Sequence, residues 1–329
     1  MNILPSEIKK IIVFRALQIG DMLCSIPAIK ALRATYPAAE ISLLGLPWAK
    51  SLVDRFDHYF DRFIHFPGFP GLPEQEFVPA QFSEFLSMMI DEKFELFLQM
   101  QGNGTIVNPM LELFGAKHTA GFFKEGVYAP QNGHFMIYPQ DCHEIDRHLK
   151  LMEFLGIPPL GRDLEFPLKE KDYVDFKHSD LGLERRKYVC IHPGSRGISR
   201  RWNPEYFAQL GDMAAQKGLT PVITGTKEEL DIANELASKM THIPLIAAGK
   251  TSMGAVAVLL QESAGLVSNC TGVSHIAAAL KTPSVVISLD CEPQRWLPLN
   301  KSLHRSVDWN AQPDFETVRS KMEEMLNSA

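Results

Sequence analysis

The stretch VCIHPGSRGISRRW, residues 189–202, decides how the rest of the chain is read. Val189, Cys190 and Ile191 form a short apolar run that stops after His192 at Pro193-Gly194, the pattern of a buried strand closed by a turn. The turn carries Gly194, Gly197, Ser195, Ser199 and the arginines Arg196, Arg200 and Arg201 before a helical stretch opens at Pro204. A strand that passes through such a loop into a helix is the building unit of a parallel α/β sheet, whose ligands gather beyond the carboxyl ends of the strands.

The same unit recurs outward in both directions. Downstream, Thr220 to Thr224, Leu245 to Ala247, Gly265 to Ser268 and Ser284 to Ser288 read as strands. Helices are expected between them at Pro204 to Gln216, Lys227 to Met240, Ser252 to Gln261 and Val273 to Leu280. Upstream, Ile11 to Phe14, Ile41 to Leu46, Arg62 to Phe66 and Leu96 to Met100 are strand candidates, with helices from about Gly20 to Thr35, Pro79 to Asp91 and Val107 to Phe114. These strands are continuous apolar runs, as parallel strands covered on both faces are. A polar stretch, Leu168 to Lys187, separates the halves and predicts two domains, 1–168 and 169–329. The segment Phe63 to Val78, with Pro67, Pro70 and Pro73, reads as a long loop. No repeat with a period of 20 to 50 residues is visible.

Composition narrows the class. The chain has 329 residues, 45% hydrophobic and 22% charged, which fits two ordinary domains. Its 33 basic against 39 acidic residues give a net charge of −6, so no global basic field is available for nucleic acid and any anion site must be local. The longest apolar runs fall far short of the roughly 20 residues that span a bilayer. Met1 to Lys10 lacks the apolar core of an export signal, so a cytoplasmic protein is expected. The five cysteines, Cys24, Cys142, Cys190, Cys270 and Cys291, are widely spaced with no CxxC pair, which predicts reduced thiols.

Three loops carry the chemistry. In the first, His192, Gly194, Ser195, Arg196, Arg200 and Arg201 combine close backbone approach with charge-assisted donors, which suits a phosphate or diphosphate. An Arg-rich loop that is simply solvated is the competing reading. In the second, Ser268-Asn269-Cys270 leads to Thr271, Gly272, Val273 and His275 at the start of a small-residue helix, a second positive helix end for a phosphate. Close packing of alanines and a core histidine would explain the same residues. Cys270 is more readily a buried inert thiol than a nucleophile. In the third, Gly20-Asp21 follows the first strand, where Asp21 is either a helix-capping acid or a catalytic carboxylate. No Walker loop occurs, and Gly102-Asn103-Gly104 lacks the third glycine of a dinucleotide fingerprint.

Together the segments VFRALQIGDMLCSIPAIKALR (13–33), FELFLQMQGN (94–103), HPGSRGISRRWNPEYFAQL (192–210), VITGTKEE (222–229), AAGKTSM (247–253), SNCTGVSHIAAALKTPSVV (268–286) and PQRWLPLN (293–300) resemble glycosyltransferase family 9, which includes the lipopolysaccharide heptosyltransferases. The resemblance implies the GT-B architecture: two Rossmann-like domains with mostly parallel sheets facing each other across a cleft, the acceptor held by the first and the nucleotide-sugar donor by the second. It implies inversion at the anomeric carbon, with Asp21 as general base and Arg15, Gln18 and Gly20 near the acceptor. Arg200, with Ser195, Arg196 and the Thr271-Gly272 turn, would stabilise the leaving diphosphate, and Glu229 would meet the nucleotide ribose.

No cofactor or metal is implied, since the nucleotide-sugar is itself a substrate. An ADP-sugar is one donor of this class, and the acceptor would be a cell-envelope glycan or glycolipid reached by peripheral contact with the inner face of the cytoplasmic membrane. Two positions depart from the family pattern: Arg200 stands where Lys is common, and Cys270 where heptosyltransferases carry Asp. A non-catalytic nucleotide-sugar-binding protein is the alternative that Cys270 favours. A sugar-nucleotide epimerase or oxidoreductase is a further one, marked by tight NAD binding.

Overall fold

The computed structural model describes residues 8–290 and 292–327. Residues 1–7, which open the segment read above for export, and Cys291 lie outside the described residues. The chain divides into two units, Met1–Asp163 and Leu164–Ala329.

The first unit runs β1 (Lys10–Phe14), α1 (Ile19–Thr35), β2 (Glu40–Gly45), α2 (Lys50–Arg55), β3 (Arg62–His65), α3 (Pro79–Glu92), β4 (Leu96–Gln99), α4 (Val107–Leu111), β5 (His118–Phe123), β6 (His134–Ile137) and α5 (Glu144–Phe154). Its sheet has the order β3-β2-β1-β4-β5-β6 with every pairing parallel. The second unit runs α6 (Glu170–His178), β7 (Tyr188–His192), α7 (Pro204–Gln216), β8 (Thr220–Ile223), α8 (Leu230–Lys239), β9 (Leu245–Ile246), α9 (Met253–Glu262), β10 (Leu266–Asn269), α10 (Gly272–Ala279), β11 (Ser284–Ser288), α11 (Pro293–Trp296), β12 (His304–Asp308) and α12 (Phe315–Asn327). Its order, β12-β11-β10-β7-β8-β9, is the same winding, again all parallel. Each unit is therefore Rossmann-like, with its strand order reversing between β1 and β4 or between β7 and β10. In open parallel sheets ligands bind at such reversals, beyond the carboxyl ends of the strands.

Each sheet is covered by its own core. In the first unit Phe14, Phe66, Phe97 and Phe114 interlock behind the sheet, with Phe97 and Phe114 stacked at 5.5 Å. In the second, Ile191, Trp202, Phe207, Val267, Val285 and Met322 form the core, and Trp202 meets Trp309 edge-on at 5.2 Å. Burying such aromatic and branched side chains contributes roughly 1.5–3 kcal/mol each.

The structure adds β5, β6, β12, α2, α5, α6, α11 and α12 to the elements expected from sequence. β12 (HRSVD) lies at a sheet edge and β6 (HFMI) is only half-buried, so neither needs the apolar run that marks a central strand. The polar stretch from 168 to 187 holds α6, which packs on α9. α6 therefore belongs wholly to the second unit, and the chain divides at 163/164, a few residues before the polar stretch begins.

Candidate functional site

In the first unit the loop after β1 is set by buried polar bonds. Gln101, just past β4, accepts from the Ala16 amide at 2.8 Å, and Arg15 turns inward with 1% exposure. The Arg15 guanidinium donates to the backbone carbonyls of Asp21 (3.0 Å from Nε) and Met100, and to Glu144 Oε1 (3.0 Å). Its donors are thus committed to α1, to the residue that follows β4 and to α5, which makes it a frame residue rather than an outward-facing acceptor contact. Gln18 is the N-cap of α1, Gly20 is buried in its first turn, and Asp21 is the half-buried acid of that turn. Asp21 is therefore inside the helix and not its cap, but its charge still suits the positive helix end.

The Gly102-Asn103-Gly104 turn has a packing role. A Cβ on Gly104 (φ +78°) would sit 2.3 Å from the Phe122 carbonyl oxygen, so this glycine lets the chain pass β5 rather than a dinucleotide.

In the second unit Asn269, fully buried at the end of β10, holds the arginine loop. Its Oδ1 accepts from the Trp202 amide at 3.0 Å and its Nδ2 donates to the Pro193 carbonyl at 2.8 Å. Within the loop Arg201 Nε donates to the Ser195 carbonyl at 2.8 Å, while Arg196 and Arg200 are exposed. Arg201 thus braces the loop, and Arg196 and Arg200 are its outward cations. Asn269 escaped the reading of candidate residues although it lies in the quoted SNCTG run. A buried amide at a strand end was the available signal.

Gly194 is explained by a neighbour. A Cβ there would lie 2.2 Å from Glu229 Oε1, so the glycine admits the Glu229 carboxylate. Glu229 Oε2 accepts from the Thr226 amide at 2.9 Å, a helix-start contact, and stands 4.0 Å from His192 Nε2. Burial lowers the His192 pKa, against the charge of Glu229 and a hydrogen bond with Thr224.

The start of α10 lies on the adjacent strand. Thr271 is its N-cap, Gly272 and Val273 open its first turn, and that turn contains no acidic side chain. No side chain of that turn therefore offsets its positive end. Burial pushes the Cys270 thiol up to about 12; the charge of Asp290 adds to this, and Arg200 acts the other way. The thiol is therefore protonated at neutral pH, as expected for an inert cysteine. The same interactions bring Arg200 and Asp290 to the end of β10. Asp290 went unnoticed in sequence because nothing in its local pattern marks it.

His275 is buried and meets the Trp296 ring at 6.3 Å, while the Arg295 guanidinium lies over that same Trp296 ring at 4.5 Å and pairs with Glu292 at 3.0 Å. The Arg295-Trp296 pair therefore pins α11 on α10. Among the described residues no group of three or more His, Cys, Asp or Glu is placed to hold a metal ion, and no helix is long and apolar enough to cross a membrane.

The chain as a whole is similar to known proteins. The sequence pattern of glycosyltransferase family 9 (heptosyltransferase) matches residues 86–325. A lipooligosaccharide heptosyltransferase 2 of Haemophilus ducreyi is 24% identical over 320 residues, covering 89% of this chain and 86% of that protein. A lipopolysaccharide core heptosyltransferase of Haemophilus influenzae is 25% identical over 189 residues, and there the match spans about half of each, 56% of this chain and 54% of that protein. Among solved structures, the ADP-heptose lipopolysaccharide heptosyltransferase II of Escherichia coli superposes with a TM-score of 0.79 at 18% identity, covering 97% of this chain and 99% of that one.

Proposed function

The chain belongs to glycosyltransferase family 9, and from that premise we propose that it transfers heptose from ADP-heptose to a hydroxyl of a lipopolysaccharide core acceptor, with inversion. The first unit supplies the base for the acceptor and the second holds the donor. The Asp21 carboxylate takes the acceptor proton as that oxygen forms its bond to the anomeric carbon, while the bond from that carbon to the diphosphate breaks. The proton becomes acidic only as the new bond forms, so placement matters more than a large pKa shift.

The observation that carries the reading is the pairing of an arginine loop clamped by Asn269 with a helix start that has no acid of its own. Arg196, Arg200 and the Gly272 and Val273 amides are suited to the charge that grows on a departing diphosphate. His192, Gly194 and Ser195 shape that loop, Glu229 meets the ribose and His275 supports the α10 turn. The work is done at the cytoplasmic face of the membrane, on a lipid-linked acceptor.

The decisive experiment compares Asp21→Asn with the wild type by a transfer assay and by calorimetry with ADP. The expected result is loss of transfer with ADP affinity unchanged. Transfer at the wild-type rate would remove Asp21 as the base.

A further inference from the structure

Four titratable side chains are buried together in the first unit: Arg15, Glu144, Arg147 and His148, each exposed by 2% or less. They lie directly behind the first turn of α1. Glu144 opens α5, where its charge suits the helix end. Its Oε1 accepts from Arg15 Nη2 at 3.0 Å and lies 3.2 Å from His148 Nε2, and its other oxygen pairs with Arg147. Arg147 is braced in turn by the Pro139 carbonyl at 2.9 Å and by the Tyr138 ring at 4.4 Å.

The protonation states follow from the surroundings. Burial acts to raise the Glu144 carboxyl, but the hydrogen bond from His148 and the charges of Arg15 and Arg147 outweigh it and hold the group well below the ordinary range. Burial and the neighbouring arginines press His148 down to about 4. The imidazole is therefore neutral and donates from Nε2, which agrees with a buried Nδ1 that has no hydrogen-bond partner among the described residues.

Such a cluster is an expensive way to hold a fold together, because well-packed apolar side chains of similar volume are usually as stabilising or more so. What it supplies is direction. Arg15 reaches three elements at once, and one of its bonds ends on the backbone carbonyl of Asp21 itself. We propose that Glu144 is a positioning residue for transfer: by orienting Arg15 it fixes the first turn of α1 and thereby the carboxylate of Asp21. The inference rests on Asp21 being the base.

Removing the Glu144 charge leaves two buried guanidinium groups with one anion fewer, and Arg15 is then free to leave the Asp21 carbonyl. A misplacement of about 1 Å can cost about a hundredfold in rate. The loss of a negative charge also favours ionised Asp21, so the acid limb of the rate profile moves to lower pH. Arg15, Arg147 and the neutral His148 face Glu144 in this cluster.

The test uses Glu144→Gln, Glu144→Asp, Arg15→Lys and Asp21→Asn in the full chain, with kcat, donor KM, pH profile and ADP binding by calorimetry for each. For Glu144→Gln the expected result is kcat down about ten- to a hundredfold, donor KM and ADP affinity within about twofold, and the acid limb displaced downward. Glu144→Asp should recover part of kcat. Wild-type kcat, or a loss with the acid limb unmoved and no recovery in Glu144→Asp, overturns the proposal. If Glu144→Gln fails to melt cooperatively, Arg15→Lys decides: it keeps the charge but cannot span the three acceptors, so kcat at the wild-type value overturns the proposal and a tenfold fall supports it. Asp21→Asn separates the two ideas. If it still turns over, the base assignment has failed; if it is dead while Glu144→Gln is normal, only the positioning role has.

Discussion

The two units wind their strands in the same order, yet they treat the arginines that follow their first strands in opposite ways. After β1, Arg15 turns into the interior and spends its guanidinium on the frame, and the helix that follows carries a carboxylate, Asp21, in its first turn. After β7, Arg196 and Arg200 face outward, and α10 at the strand-order reversal begins without any acid. One copy of the scaffold therefore carries a half-buried carboxylate and turns Arg15 inward; the other turns Arg196 and Arg200 outward and has a helix whose first turn holds no acid. A single winding can serve either partner of a transfer reaction, because the function lies in where the charges point.

The sharpest way to break this contrast is to delete one arginine from each copy. Arg15→Ala strips a buried carboxylate of one partner and should cost about 3–5 kcal/mol of stability. Arg200→Ala should leave melting within about 0.5 kcal/mol of wild type, as exposed substitutions do, while lowering kcat by about 10²–10³ through lost charge stabilisation of the leaving group. Thermal melting beside single-turnover transfer reads both. If Arg200→Ala melts early or Arg15→Ala melts normally, the division between frame and site is wrong.

A milder comparison removes the amide that braces each loop. Asn269→Ala leaves the Trp202 amide and the Pro193 carbonyl without their partner, a cost of about 1–3 kcal/mol, and should weaken ADP binding about tenfold as the arginine loop loosens. Gln101→Ala breaks the corresponding tie to Ala16 in the other unit. ADP affinity measured by calorimetry should be untouched there. Equal weakening in both variants would mean that Asn269 acts through general stability.

Much of this was legible before any coordinates. The run Tyr188–His192 is apolar enough to be a central strand, and the loop after it carries the glycines, serines and arginines of the candidate site. What stayed hidden was long-range. Glu144 meets Arg15 across 129 positions of sequence, and nothing near either residue announces the partner. The family resemblance puts Arg15 near the acceptor, and its burial against the frame is a long-range fact that no local pattern carries. Gly194 was attributed to a ligand's approach, whereas the Glu229 carboxylate fills that space. Local pattern reports which residues can do chemistry; only packing reports which of them are spent on the frame.

Acid should probe both units. Burial pushes His304 in the second unit to about 4, and burial with nearby arginines does the same to His148 in the first. Both values lie below the 6.5 of an unfolded histidine, so below 6.5 the unfolded chain takes up protons that the folded one refuses. Their contribution to stability is complete above about pH 6.5 and is lost as pH falls towards about 4. Urea midpoints measured across that window should fall steadily, and His304→Asn should flatten part of the slope. A midpoint independent of pH between 6.5 and 4 would show that neither imidazole is held neutral.

The smallest effect expected is at Cys270, whose place beside Arg200 invites a nucleophilic reading. A thiol held at about 12 is ionised to only about one part in 10⁴ at pH 8, and the thiolate is the reactive form. Burial closes the remaining route, since the residue is 8% exposed while Cys142 in the first unit is only half-buried. Iodoacetamide at pH 8, followed peptide by peptide, should therefore mark Cys142 well before Cys270, and Cys270→Ala should keep kcat within about threefold of wild type. Rapid labelling of Cys270, slowed by the donor, would instead place a reactive thiolate at the sugar and overturn the assignment of charge stabilisation to the arginine loop alone.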